Sequence, residues 1–392
     1  MRLRASWIRA MGAALALCAG CAGCARGTGT PATAGPIADE RRAALASEDG
    51  DVVGRWALRE MLAPGGTAAQ ATAARKRLNA VPHDGMWASL ARALYDDAHG
   101  DPRSAAAGYV VSMTAAARSP DPQAELVGWF AVRHLLALRG SVADLFTQNR
   151  APFEALLAQP GRLGWRAVAE LEDWRALEVY DKAERTGDAF DEEVTRRMGC
   201  AKGIRIAGPF GHGAAQDAAR SFAPEAATPW PAAWPADPIR GNVPRQLSVT
   251  QKRCIAAADE QVEEGVFYLE TFFTTTSDRE LILAVQGALT VWIDGTEVLT
   301  RGLEDWGSWQ RFGAHVAVRE GRHRIVAKTV TPGASVRVLN PNGTAAELDT
   351  DGDPGPPTAL APPHALSDPN PLESVVALAK QGPGALAGTP PI

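Results

Sequence analysis

The stretch "LTVWIDGTEVL", residues 289–299, decides how the second half of this chain is read. Asp294-Gly295 stands between two runs of alternating apolar residues. Asp-Gly at the centre of such a pattern is a two-residue hairpin loop, because both residues accept the positive φ that the tight turn demands. In that register Ile293 faces Thr296, Trp292 faces Glu297 and Val291 faces Val298. Leu289, Val291, Ile293 and Val298 then share the core face, and Trp292 points the other way with Thr290, Glu297 and Leu299. Trp292 is either a ligand platform on an open face or an aromatic beneath the Pro-rich segment that carries Trp230 and Trp234. Burial under a loop is the commoner fate of so large a ring.

Strand-like runs surround this hairpin. "KGIRIAGPF" begins at Lys202, and "RQLSVTQ", "GVFYLETFFTT", "RELILAVQG", "RFGAHVAVRE", "RHRIVAKTV" and "ASVRVLN" follow, rich in Val, Ile, Thr and Phe and separated by turns such as Ser277-Asp278 and Glu320-Gly321. Short strands at this spacing with no helix between them argue for a sandwich of two antiparallel sheets. Between the first run and the rest, "FAPEAATPWPAAWPADPIRGNVP" carries Pro at 224, 229, 231, 235, 238 and 244. A helix cannot run through that density of Pro, so this segment reads as an extended surface loop.

Upstream of Gly199 the period changes to that of helices. "GMWASLARALYDDAHGDPRSAAAGYVVSMTAAA" reads as two helices broken at Gly100-Asp101-Pro102, with Trp87, Leu90, Ala91 and Leu94 lining one and Ala105, Tyr109 and Ser112 the other. In "GWRAVAELEDWRALEVYDKAE", Trp165, Val168, Leu171 and Trp174 recur every three residues, the mark of a buried stripe. Downstream of Asn340 the chain turns to "DTDGDPGPPTALAPPHALSDPNP", read as a Pro/Asp-rich linker, then to one short helix in "LESVVALAKQG".

Two segments resemble known families. The order of large and small residues around the Gly100-Asp101 turn resembles a tetratricopeptide repeat, with a turn about two residues longer and no clear second copy. The pair Val291-Trp292-Ile293-Asp294-Gly295 and Gly321-Arg322-His323-Arg324-Ile325, with the lead-in Gly208-Pro209-Phe210 and Pro224-Glu225, resembles the galactose-binding-like jelly roll of carbohydrate-binding modules. These are framework motifs, so the resemblance implies the fold first and carbohydrate binding second.

The N-terminus carries Arg2, Arg4 and Arg9 ahead of the short apolar run "AMGAALALCAGC", the pattern of a secretory signal and too short for a spanning helix. "LCAGCAGCARG" resembles a bacterial lipobox. It implies lipidation at Cys21, with Cys18 and Cys24 as alternatives because Cys18 stands where the family usually has Leu. Ala22 after the modified Cys implies outer-membrane sorting. The same spacing reads as part of an iron–sulfur motif, but no sensible fourth ligand follows. Without residues 1–20 the formal net charge falls from −5 to −8, which argues against nucleic acid as a partner.

Of the remaining cysteines, Cys200 and Cys254 either pair, in an oxidising compartment, or stand as two buried thiols. Trp306 and Trp309, beside Glu304 and Asp305 in "GLEDWGSWQRF", lie between strands where exposed rings and acids can grip a glycan; such loops also fold their aromatics back over a core. His323 reads as a partly buried structural His. Asp349, Asp351 and Asp353 have calcium-loop spacing, but Pro354 and Leu360 occupy the Gly and Glu positions of an EF-hand. With no H-E-x-x-H, G-x-S-x-G or phosphate loop in the sequence, no metal, cofactor or catalytic residue is expected.

The chain therefore reads as a multidomain α + β protein: a signal peptide at 1–20, a lipidated tether at 21–37, an all-α repeat-like domain at 38–198, an antiparallel β-sandwich (jelly roll) at 199–345, and a linker with one short helix at 346–392. The expected role is a non-catalytic, lipid-anchored envelope protein. Its expected partners are the membrane, through the lipid, and a glycan or an envelope protein, through the sandwich. The alternative is the N-terminal targeting region of a larger envelope hydrolase or transglutaminase-like enzyme.

Overall fold

The computed structural model describes residues 36–62, 67–181, 188–226, 230–250, 254, 256–257, 264–303, 312–330, 333–355 and 363–366. Helices fill the N-terminal part and antiparallel sheets the C-terminal part. The chain divides between Ser112 and Met113 into two compact units, taken in turn below.

The first unit holds helices α1 (Pro36–Ala46), α2 (Gly50–Leu62), α3 (Ala68–Leu78), α4 (Met86–Ala98) and the first part of α5 (Pro102–Arg118). Each start has a local cause. Thr67 caps α3, accepting from the Gln70 amide at 3.2 Å while its own amide donates to the Gln70 side chain at 2.7 Å, a reciprocal pair that satisfies two orphan donors. The first amides of α4 are capped from another helix: the Asp51 carboxylate accepts from Trp87 and Ala88 at 2.9 and 3.2 Å. Gly54 lets α2 come against α4, since a Cβ there would lie 2.4 Å from the Ala88 nitrogen. Trp87, Leu90, Ala91, Ala105, Tyr109 and Ser112 are buried, as their spacing predicts, whereas Leu94 at the end of the first stripe is only half-buried.

The second unit opens with α6 (Ala124–Ala137), α7 (Leu145–Gln148), α8 (Arg150–Ala158), α9 (Trp165–Asp181) and α10 (Asp188–Arg197). The strands follow: β1 (Gly203–Phe210), β2 (Arg245–Thr250), β3 (Ala256–Ala257), β4 (Val266–Thr275), β5 (Arg279–Gln286), β6 (Ala288–Ile293), β7 (Thr296–Thr300), β8 (Phe312–Val318), β9 (Gly321–Thr329), β10 (Gly333–Leu339), β11 (Thr350–Asp351) and β12 (His364–Leu366). They form two antiparallel sheets. The larger runs β2-β1-β4-β9-β6-β7, with β11 also on β4; the smaller runs β12-β8-β5-β10-β3. Ile204, Leu269, Val291, Ile293, Ile325 and Ala327 of the large sheet and Leu281, Leu283, Val285, Val316, Val336 and Val338 of the small one make a single buried core.

Each sheet is covered over part of its outer face. Helix α9 lies on the small sheet, where Trp165 and Ala169 pack with Ile282, Ala284 and Leu339. Two glycines allow the approach. A Cβ on Gly313 would stand 2.6 Å from the Trp165 ring, and one on Gly343, at φ +88°, 2.7 Å from the Trp165 Cα. Arg337 on β10 is also beneath the helices, 2% exposed and ion-paired with Asp173 of α9. Burial lowers its pKa to about 10, so the guanidinium stays charged at neutral pH. The composition change at Gly199 is thus the change from helix to strand, while the helices from Ala124 to Arg197 and the sheets occupy one compact unit.

Three details differ from the sequence reading. Hairpin β6–β7 pairs Trp292 with Glu297 and Ile293 with Thr296, but the register then shifts and Val291 meets Leu299 instead of Val298. A bulge absorbs one residue, so both Val298 and Leu299 reach the main core. The Pro-rich segment is folded back on the large sheet by its own bonds: Asp237 accepts from the Gly211 and Ile239 amides at 2.6 and 2.7 Å. Finally, parts of the stretch read as a linker from 346 onward belong to the sheets. Ala346 is in the core, Thr350-Asp351 pairs with Phe273-Phe272, and His364–Leu366 forms the edge beside β8. Backbone pairing there needs no hydrophobic run, which is why composition conceals it.

Candidate binding surfaces of the sandwich

The Asp294-Gly295 turn has φ of +50° and +80°, the two positive values that this loop requires. The turn does more than reverse the chain. Asp294 Oδ1 accepts from the Arg324 amide at 2.8 Å, and Oδ2 sits 2.7 Å from His323 Nδ1. The other ring nitrogen, Nε2, is 2.7 Å from the Arg319 carbonyl oxygen. A carbonyl can only accept, so Nε2 carries a proton, and the Asp294 carboxylate favours one on Nδ1 as well. The ring is 1% exposed and stacks on Phe273 with centroids 5.1 Å apart. Burial works against the charged imidazole, but the hydrogen bonds to Asp294 and Arg319 outweigh it and hold the pKa above its ordinary value. Both ring nitrogens thus meet acceptors, and the ring pins the β6–β7 turn to β9.

Trp292 is half-buried on the outer face of the large sheet. It packs against a cluster of Phe210, Trp230, Trp234, Tyr268 and Val326, so the Pro-rich segment lies over its face. Trp230 donates to the Pro224 carbonyl at 3.0 Å, and the Trp230 and Trp234 rings meet edge-on at 5.7 Å. Charged groups border the cluster. Glu270, fully buried, pairs with Arg205 and, at 2.6 Å, with Arg324 Nε. Lys328 pairs with Glu225 at 3.1 Å, and the Tyr268 hydroxyl donates to the same carboxylate at 2.5 Å; burial and that carboxylate raise the Tyr268 pKa. These pairs join β1, β4 and β9 to each other and to the covering segment.

Cys200 and Cys254 form a disulfide with Cα atoms 5.4 Å apart, next to Phe190 and Val194 of α10 and Met198 just after it. Among the calcium-spaced acids, Asp351 pairs with Arg322 and accepts the Asp353 amide at 2.8 Å. No group of His, Cys, Asp and Glu among the described residues is arranged to hold a metal ion. Glu304, Asp305, Trp306 and Trp309 lie outside the described residues, as do Cys18, Cys21 and Cys24. The described root of the first loop is Arg301, whose amide donates to the Leu289 carbonyl at 2.9 Å. That loop leaves β7 of the large sheet and re-enters at β8 of the small one. No described helix is long and apolar enough to cross a membrane.

The Asp294–His323 pair and the Glu270 triad escaped the sequence reading. A signal for the first was present, because each of the two framework motifs contains one of the partners. An isolated Glu inside the apolar run "VFYLETFF" marked the second, since an acid on a two-faced buried strand requires a cation. No protein-family model, curated protein or solved structure matches the chain.

Proposed function

We propose that this chain is a non-catalytic, lipid-anchored protein of the bacterial envelope whose sandwich is a galactose-binding-like jelly roll serving as a binding module. The observation that supports it is the direct bond between Asp294 and His323, the two polar framework positions of the resemblance, in a sandwich whose chain passes repeatedly between its sheets. The acids and bases buried in that sandwich are engaged in pairs that hold strands together, which fits a framework better than a reaction centre. In this reading the ligand, a glycan or an envelope protein, is taken by the segment 304–310 between β7 and β8 in sequence, with Trp306 and Trp309 as stacking platforms and Glu304 and Asp305 as acceptors. Trp292 contributes support beneath the covering segment rather than a contact.

The test uses the mature full-length chain on a glycan array that includes peptidoglycan fragments, beside Trp306→Ala and Trp309→Ala. Binding that either substitution abolishes is the expected result; no binding to any polysaccharide ends the glycan reading. For the anchor, Cys21→Ala should shift the protein from the membrane fraction to the soluble one. Continued lipid labelling of that variant would move the attachment to Cys18 or Cys24.

A further inference from the structure

A cleft of about 480 Å³ opens within the second unit, between α9–α10 and the turn that follows β10. Its size is in the range of small-molecule sites. Leu157, Val168 and Ala346 give it an apolar floor, and Arg196, Arg197 and Arg279 stand around it. The turn that closes one side is rigidly held. Asn340 donates from its amide to the Thr344 carbonyl at 2.8 Å and from its side chain to the Ala345 carbonyl at 3.0 Å, and Gly343 is seated on Trp165.

The charges of this cleft do not balance. Glu172 is held by Arg175 at 2.7 Å and by Arg197 at 3.3 Å, and Arg197 also reaches Glu154 at 3.4 Å. Among the described residues, the Arg279 side chain donates to the neutral Asn340 side-chain oxygen, at 2.7 Å, and neither Arg279 nor Arg196 makes an ion pair. Exposed Glu347 is the remaining acid of the lining. Within the lining, Arg196, Arg197 and Arg279 stand against Glu172 and Glu347, which leaves one positive charge in excess on a chain whose net charge is negative.

We propose that this cleft is a second binding site, for a small molecule bearing one carboxylate, with Arg279 and Arg196 as the groups that receive the acid and Leu157 and Val168 as the surface under its body. A guanidinium without an acid partner, beside an apolar floor, favours an anion over the neutral analogue because charge-assisted hydrogen bonds are the stronger ones. A neighbouring cleft of about 390 Å³ shares Arg196 and Glu347 and adds the oppositely charged Lys202 and Asp349, which leave the balance of charge unchanged. The site shares no residue with the 304–310 segment, and the proposal holds or fails independently of that segment's ligand.

The test is calorimetric titration of the full chain with galacturonate and N-acetylalanine as carboxylate probes and galactose as the neutral control. At least one carboxylate probe is expected to bind, galactose to bind at least about tenfold more weakly, and Arg279→Gln and Arg196→Gln each to weaken the acid by about tenfold, roughly one charge-assisted bond. Arg196 is exposed, so its replacement leaves the fold intact and keeps the result interpretable if Arg279→Gln misfolds. Trp306→Ala should leave this binding unchanged. Failure of both acids to bind, equal binding of galactose, or equal affinity in Arg196→Gln would falsify the assignment.

Discussion

Asp294 and His323 are 29 residues apart in sequence and 2.7 Å apart in space, one in the turn of a hairpin and the other on the neighbouring strand. Their contact converts a local turn signal into a tertiary tie. Because the pKa of His323 is raised in the folded chain, the stabilisation is fully present below the unfolded value of about 6.5 and is lost as pH rises through the folded value. Melting temperature measured against pH should therefore fall over that interval in the native chain and stay flatter in His323→Gln. Asp294→Ala should cost about 3 kcal/mol near pH 6, since it strips a buried charge of its partner. An unchanged pH profile in His323→Gln would remove the imidazolium from the account.

Glu270 offers a sharper contrast. Glu270→Gln leaves Arg205 and Arg324 without their shared carboxylate and should lower stability by about 3–5 kcal/mol in urea unfolding. Replacing all three with apolar residues of similar volume should recover most of that loss, because the desolvation cost of the charges disappears together with their attraction. If the single and triple variants unfold at the same urea concentration, the triad is not electrostatically coupled.

The seating of helix α9 on the small sheet is tested by Gly343→Ala. Its φ of +88° and the 2.7 Å approach to Trp165 leave no room for a methyl group, so a loss of about 2 kcal/mol or more is expected in thermal melts. The near-ultraviolet circular dichroism of the tryptophans should change with it. Gly100→Ala also has positive φ but nothing within 4 Å, so strain alone acts there and the loss should be smaller.

The disulfide between Cys200 and Cys254 closes a loop with a sequence separation of 54, which corresponds to about 4 kcal/mol in the chain-entropy picture. Reductant should lower the melting temperature of the native chain and leave Cys200→Ser/Cys254→Ser unaffected. Equal sensitivity of both proteins would place the effect elsewhere.

How far the sequence could be read depended on the range of the interaction. The Asp294-Gly295 turn and nine of the strands follow from local pattern, since turn chemistry and alternation act within a few residues. The bulge after Val291 does not, because it depends on how β6 meets β9 as well as β7. The helix layer over the small sheet had a signal in "LILAV", residues 281–285: an unbroken apolar run is a strand buried on both faces. Which element covers the second face is a long-range fact. The charged cleft was least legible, because Arg196, Arg279 and Val168 come from three elements that nothing in their spacing brings together.

Apart from β1–β2 and β6–β7, every pair of successive strands is split between the two sheets. Each such step leaves its strand without a hydrogen-bonding neighbour until a partner distant in sequence arrives. Chain closure must therefore come before most of the pairing that rewards it, and the sandwich is expected to fold late and all at once. In such a route the β6–β7 hairpin is the one tightly local pair of strands, and the Asp294 that closes it then receives β9 through His323.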